Sequence, residues 1–407
     1  MRSSGKESVP VSFLSIVMCF ARLGLVGFGG PTAHIALFHT VFVTHRRWVG
    51  DEDFARLLAI SQALPGPSSS QLAAALGWRV RGWAGGLGAI LAFAAPSLAI
   101  MIALGLGAGL AFDAIPSGVI AGLTGAVAGI VASALLHMIQ SLANGLRTAA
   151  IALGAFSILV ATSLVMTSLV LVQPLVLIAA GLIGAGWLRQ AEPSRGPALE
   201  LKGSRRWPLL GVALVLGLLL FSFWVSPDAP RWVLAASENY RAGAFVFGGG
   251  HVVLPMLEPG VVPELMSEER FLAGYGAAQA LPGPIFAFAG YIGALSGAGG
   301  VDSALSGLIS AAAIFLPGLV LLFSALSFWS SVLSHPRVRS ALAGINAAVV
   351  GVLAAAFINP VATTAAMSLE GLLTACAAFL LVQFGRWPAP LVVISAGLTG
   401  WGLSLIT

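Results

Sequence analysis

Two short strings recur in this chain at matched spacing, and each copy is set in an apolar run. Arg22-Leu23-Gly24-Leu25-Val26-Gly27-Phe28-Gly29-Gly30 returns as Arg241-Ala242-Gly243-Ala244-Phe245-Val246-Phe247-Gly248-Gly249. Further on, Gln62-Ala63-Leu64-Pro65-Gly66-Pro67 returns letter for letter as Gln279-Ala280-Leu281-Pro282-Gly283-Pro284, and Asp51 to Pro67 aligns without a gap on Glu268 to Pro284. A third echo pairs Ala121 to Gly129 with Ala343 to Gly351. Three landmarks kept in one order mark a duplicated unit, so the chain must fold as two versions of one design.

The solvent of that design is lipid. With 58% hydrophobic and only 9% charged residues and a mean hydropathy of +0.97, a water-soluble globule would lack the polar groups to cover its surface. Apolar runs of helix length lie near residues 10–28, 54–77, 83–110, 116–140, 147–168 and 171–188. A lone run near 208–225 follows, then six more near 232–250, 270–296, 303–330, 340–359, 366–384 and 388–406. The expected fold is an all-α polytopic membrane protein of two inverted-topology repeats, about six spans each, with one linking helix that reverses the second repeat. Its expected domains are a first membrane repeat (1–190), a basic cytoplasmic linker with the inverting helix (191–230) and a second membrane repeat (231–407). The N-terminal apolar run is interrupted by Arg22 and has no small-x-small cleavage pattern, which reads as a retained first helix.

Loop charges agree with inversion under the positive-inside rule. With the N-terminus cytoplasmic, Arg2, Lys6, Arg79, Arg81, Arg147, Arg189, Arg195, Lys202, Arg205, Arg206, Arg270, Arg337, Arg339 and Arg386 fall inside, against Arg46, Arg47, Arg56 and Arg231 outside. Two loops fit poorly: Arg46-Arg47 lies outside, and the cluster Glu258, Glu264, Glu268 and Glu269 lies inside. Both flank the repeated strings, where re-entrant segments would change the count.

Arg22 and Arg241 are the residues that most need explaining. Each falls about the middle of its span, where an arginine costs ~2.5–3.5 kcal/mol. Snorkelling or a local carboxylate would account for one of them, since Glu238 stands three residues before Arg241, but Cys19 takes that place before Arg22. A symmetric pair of cations with an asymmetric counter-ion favours a ligand anion held by both guanidinium forks. The prolines Pro65, Pro67, Pro282 and Pro284 remove amide donors while Gly66 and Gly283 allow a turn, so each string breaks its helix in mid-span. The helices restarting at Ser68 and Ile285 then present N-terminal amides to the break. Gln62 and Gln279 bond either an oxyanion or the freed carbonyls. Phe28-Gly29-Gly30 and Phe247-Gly248-Gly249 allow close backbone approach or a further break, and diverge afterwards as Pro31 against Gly250. His34 and His251 do not align and read as local packing or interfacial residues; Pro96 and Pro317 read as hinges whose spacing from the Pro-Gly-Pro strings differs.

Other classes find no support in the residues. The histidines lack metal-ligand spacing, Cys19 and Cys376 are far apart in apolar segments, and no phosphate-binding Gly-Lys-Ser/Thr loop occurs. The basic residues lie in membrane-flanking loops without aromatic interleaving, against nucleic acid as a partner. No metal, cofactor or enzyme activity is expected.

The Arg-x-Gly-x-x-x-Phe-Gly-Gly and Gln-Ala-Leu-Pro-Gly-Pro strings, each present twice in two halves of the chain, resemble the chromate transporter (CHR) family in its long, two-domain form. The resemblance implies a bacterial inner-membrane protein that expels chromate from the cytoplasm and confers resistance. It implies functional roles for Arg22, Phe28, Gly29, Gly30, Gln62, Pro65, Gly66 and Pro67, and for Arg241, Phe247, Gly248, Gly249, Gln279, Pro282, Gly283 and Pro284. The expected function is a secondary transporter with its site between the repeats. Sulfate or another oxyanion as cargo, and an anion channel, are the alternatives. Membrane lipid is an expected partner, and a homodimer is compatible with the sequence.

Overall fold

The computed structural model describes residues 11–165, 170–188, 206–326 and 335–405, and the described residues form helices joined by short turns. The first repeat contains α1 (Phe13–Val26), α2 (Gly30–Phe38), α3 (Asp51–Ala63), α4 (Ser68–Ala111), α5 (Ser117–Leu142), α6 (Leu146–Ser163) and α7 (Val172–Trp187). The lone helix is α8 (Arg206–Phe223). The second repeat contains α9 (Arg231–Phe245), α10 (Val253–Val261), α11 (Glu268–Ala280), α12 (Phe288–Leu295), α13 (Gly300–Ala325), α14 (Pro336–Ala356), α15 (Leu369–Gln383) and α16 (Ala389–Ser404). Long apolar stretches such as Ser117–Leu142 and Gly300–Ala325 are of membrane-spanning length and hydropathy.

The first two apolar runs do not cross. Helix α1 ends at Gly27, and α2 turns back beside it, so that Phe20 meets Phe38 and Phe42 at ring distances of 5.8 and 4.7 Å. Helix α3 runs inward to the Pro-Gly-Pro turn, and the first limb of α4 returns antiparallel to it, which brings Arg79 to 2.8 Å from Asp53. Arg81 and Gly82 leave helical geometry, and α4 doubles back there. Its second limb runs parallel to α1: Arg81 donates to the Val11 carbonyl, Gly88 lies against Phe13 and Val17, and Gly24 lies against Phe93. Thus α1–α2 and α3–α4 are two re-entrant hairpins entering from one face, here the N-terminal face. Four whole crossings follow, by the second limb of α4 and by α5, α6 and α7.

The expected six spans per repeat therefore become two hairpins and four crossings. The physical reason is length: thirteen-residue helices such as Asp51–Ala63 extend about 20 Å, too short for a ~30 Å layer. Crossing parity is unchanged. Four crossings return the chain to the N-terminal face, α8 crosses once, and the second repeat enters from the opposite face. There α9 and α10 pair antiparallel, with Gly260 against Glu238, and α11 and α12 pair with Tyr291 hydrogen-bonded to the Arg270 carbonyl at 3.0 Å.

The hairpins also remove the two anomalies of charge. Arg46, Arg47 and Arg56 join the arginine-rich N-terminal face, while Glu258, Glu264, Glu268 and Glu269 move to the other. Arg270 moves with them, against its expected place, and pairs with Asp113 at 3.1 Å. The basic linker, including Arg189, Arg195, Lys202 and Arg205, lies outside the described residues.

The repeats exchange their later helices. Helix α5 packs on α15 and α16, and its counterpart α14 packs on α6 and α7. Small residues make this closeness possible. Gly122 and Gly129 lie on the backbone at Ala396 and Ala375, and their counterparts Gly344 and Gly351 lie on Ala180 and Ala152. A side chain at any of the four would strike a carbonyl oxygen.

Candidate functional site

The four hairpin tips meet. Each Pro-Gly-Pro glycine donates its amide to a tip carbonyl of the other repeat: Gly66 to Val246 and Gly283 to Gly27, both at 2.8 Å. Val246 and Gly27 occupy the same place in their repeats, five residues after the repeated arginine. The bonds are thus reciprocal, as around a two-fold axis. Backbone geometry repeats as well, with Gly66 at φ +114° and Gly283 at φ +97°. Glycine is required at both, because a side chain is strained in that region and would press on Gly318 in one copy and Ser97 in the other.

Those two contacts reveal what Pro96 and Pro317 do. Ser97 and Gly318 each follow one of these prolines, so the prolines are structural equivalents in spite of their unequal spacing. Gln71, fully buried, secures one contact by donating to the carbonyls of Pro65 and Gly318 at 2.9 and 3.0 Å. The divergence of Pro31 from Gly250 also has a cause. A side chain at Gly250 would point at the Pro31 ring and collide with Ile285, so equivalent positions face each other and only one can carry bulk.

Around the tips is a cavity in two adjoining lobes. One, of about 660 Å³, is lined by Gly29, Gln62, Leu64, Gly66, Gly248 and Gly249 from the repeated strings, with Pro31, Thr32, Ser68, Ser141, His251 and Asn346 among the rest. The other, of about 320 Å³, is lined by Gly29, Gly30, Gln279, Leu281 and Gly283 with Ser133 and Trp387. His137 and His251 line both lobes. The last turn of α5 and the turn before α16 contribute to the walls, so the cavity reaches the N-terminal face. Helices α2 and α4, and the helical turns starting at Gly250 and Ile285, begin at the tips; their first amides lack intrahelical partners and attract anions.

The expected site residues divide on this geometry. Gly29, Gly30, Gln62, Gly66, Gly248, Gly249, Gln279 and Gly283 come together on the cavity walls. Pro65, Pro67, Pro282 and Pro284 shape the turns and do not line either lobe; Phe28 is 43% exposed and lines neither lobe, and Phe247 packs against the core. Arg22 and Arg241 are not brought together and line neither lobe. Arg241 is paired with Glu238, sits 5.0 Å from the Phe223 ring centre, and lines a separate small pocket with Gln173 and Met256. Arg22 is exposed on α1. Neither arginine shares the cavity, whose walls carry neutral polar groups, two histidines and backbone amides.

Sequence reasoning missed His137, Ser133, Ser141 and Asn346, and it read His251 as a local packing or interfacial residue. Asn346 lay inside the third echo, a usable signal; His137 has no repeated counterpart, and a search for repeated letters passes over it. His34 is a packing residue as expected, buried with Nε2 on the Gly27 carbonyl at 2.8 Å and its ring edge-on to Phe93.

Paired re-entrant hairpins meeting from opposite faces around a polar cavity define a polytopic membrane protein of the transporter class. The chain belongs to the chromate transporter family, whose match covers residues 14–185 and 232–401, one segment in each repeat. It is similar to the chromate transport protein of Cupriavidus metallidurans, 29% identical over 95% of this chain and 92% of that one. It is likewise similar to the chromate transport protein of Pseudomonas aeruginosa, 28% identical over 96% and 92%. An uncharacterized transporter of Methanocaldococcus jannaschii is 26% identical over 96% of this chain and 94% of its own. No solved structure matches the chain.

Proposed function

We propose that the chain is a secondary transporter that carries chromate out of the cytoplasm through the cavity at the hairpin tips. The observation that carries this reading is the reciprocal pair of bonds, Gly66 to Val246 and Gly283 to Gly27, which holds the tips of both repeats around one cavity. A tetrahedral dianion entering there meets helix N-termini, the backbone amides of the Phe-Gly-Gly breaks and the side-chain amide of Gln62, while Gln279 shapes the wall by holding His251 and Tyr275 with its own amide group. Related chains named chromate transport proteins support chromate as the cargo.

The membrane is the bacterial inner membrane, with the arginine-rich N-terminal face in the cytoplasm. The cavity as described then opens inward, ready to load. An interior negative by 100 mV drives a dianion outward with about 4.6 kcal/mol, from ~2.3 per charge, so export needs no nucleotide. Release follows when one repeat rocks against the other and exchanges which face the cavity meets.

The test is chromate accumulation in inverted membrane vesicles with the potential clamped and sulfate as competitor. Gln62→Leu, Gln279→Leu and Gly66→Ala should each reduce initial uptake at least tenfold at equal insertion. Wild-type rates in all three would overturn the reading. Ohmic anion currents without saturable counterflow would replace the transporter with a channel, and sulfate preferred over chromate would change the cargo.

A further inference from the structure

Among the described residues, no Lys, Arg, Asp or Glu lines either lobe, and the titratable side chains on the walls are His137 and His251. Their hydrogen bonds put them in opposite tautomers. His137 Nδ1 lies 2.9 Å from the Ser133 carbonyl oxygen, which can only accept, so Nδ1 carries the hydrogen and Nε2 of the neutral ring is a bare lone pair. His251 Nδ1 lies 3.0 Å from Gln279 Nε2, an amide donor, so Nδ1 accepts and the neutral ring carries its hydrogen on Nε2.

We propose that His137 is a proton-dependent ligand of the transported oxyanion, so that the cavity binds a proton together with its cargo. This rests on the cavity being the oxyanion site. Neutral His137 turns a lone pair toward an anion and repels it. Protonated, it keeps its bond to Ser133 and gains a second N–H, on Nε2, with a full positive charge. A proton on His251 would instead set an N–H against the amide of Gln279, so His137 is the better acceptor of the two. His137 is an exposed residue on the wall shared by the two lobes, where a proton and an anion both have access.

The elements packed on α5 bring no other charge to this wall. Glu268, Glu269 and Arg270 of α11 and Glu370 of α15 lie at the opposite-face ends of their helices. Arg337 and Arg339 of α14 and Arg386 in the turn before α16 lie toward the N-terminal face, and none of them lines either lobe. Among the described residues His251 is the one titratable group that lines both lobes with His137, and Tyr275 of α11 stands behind it, bonded to Gln279.

Chromate binding to the purified full chain in lipid nanodiscs, measured by calorimetry between pH 6 and pH 8, tests the proposal. Protonation of chromate itself is common to all variants, so only differences between their pH profiles report on the protein. Wild type should lose about tenfold more affinity than His137→Asn across this range, and the two should converge at pH 8. His137→Arg, a permanent cation, should hold high affinity at both ends. The pH profiles of wild type and His137→Asn running parallel would overturn the proposal. If they run parallel while Gln62→Leu and Gly66→Ala still weaken binding, the proton-dependent ligand falls and the oxyanion site stands. If chromate binding ignores Gln62 and Gly66 as well, both fall.

Discussion

Arg22 and Arg241 occupy one position in the repeat and live in different surroundings. Arg241 has Glu238 as a partner and α8 as a cover: Tyr240 donates to the Val215 carbonyl at 3.0 Å, and Phe223 lies over the guanidinium. Among the described residues no such helix covers α1, where Leu14 and Met18 are 62% and 48% exposed on the helix that carries Arg22. The side chains of Arg241 and Glu238 are 15% and 12% exposed, so removing one leaves a charge stranded in an apolar setting. Glu238→Gln should therefore destabilise the protein by about 3–5 kcal/mol. Arg22→Gln should cost less than about 1 kcal/mol, as for other exposed substitutions. Thermal unfolding in detergent compares the two, and adding Arg241→Gln to Glu238→Gln should restore much of the loss. The sequence showed the unequal carboxylates, Glu238 against Cys19, and that difference did foretell unequal arginines. The lone helix α8 was legible too, but not its place over Arg241, because a covering helix from a distant run leaves no mark on the string it covers.

The hairpins are the elements on which the topology turns. A mid-helix Pro-Gly-Pro was legible as a break, and the two misplaced charged loops were legible as an error in the count. Whether the chain continues or turns back after such a break depends on tertiary partners. Here the partners are the Val246 and Gly27 carbonyls and the walls at Gly318 and Ser97, all from the other repeat. In a background with Cys19→Ser and Cys376→Ser, Gly50→Cys and Gly82→Cys should react with an impermeant maleimide from the same face. Gly299→Cys, at the corresponding turn of the second repeat, should react from the opposite face. Labelling of the first two from different sides would restore α3 and the first limb of α4 as a single crossing. The sequence reads full spans near 54–77 and 270–296, whereas in the structure helices Asp51–Ala63 and Glu268–Ala280 match in length and are too short to span.

At the scale of the whole molecule, α5 seats on α15 and α16 while α14 seats on α6 and α7, so each repeat lacks its own closing helices. Expressed alone, residues 1–190 should leave the backbone grooves at Gly122 and Gly129 without their partners and should aggregate after extraction. Co-expressed with residues 191–407, they should copurify as a complex that binds chromate. Stable, monodisperse behaviour of either piece alone would show that the exchange is dispensable. The third echo in the sequence was a fair guide to these glycine contacts, although nothing in it said that the contacts run between repeats.

The solitary crossing of α8 carries an implication about ancestry. A polypeptide with a single unit of this kind is only half of a handshake, and its missing hand must be threaded through the bilayer the other way up. Such a precursor would have had to insert in both directions, or to have a sibling inserting upside down. Joining the siblings end to end demanded one spare passage through the lipid, and that passage later became available as a lid over one of the two arginines.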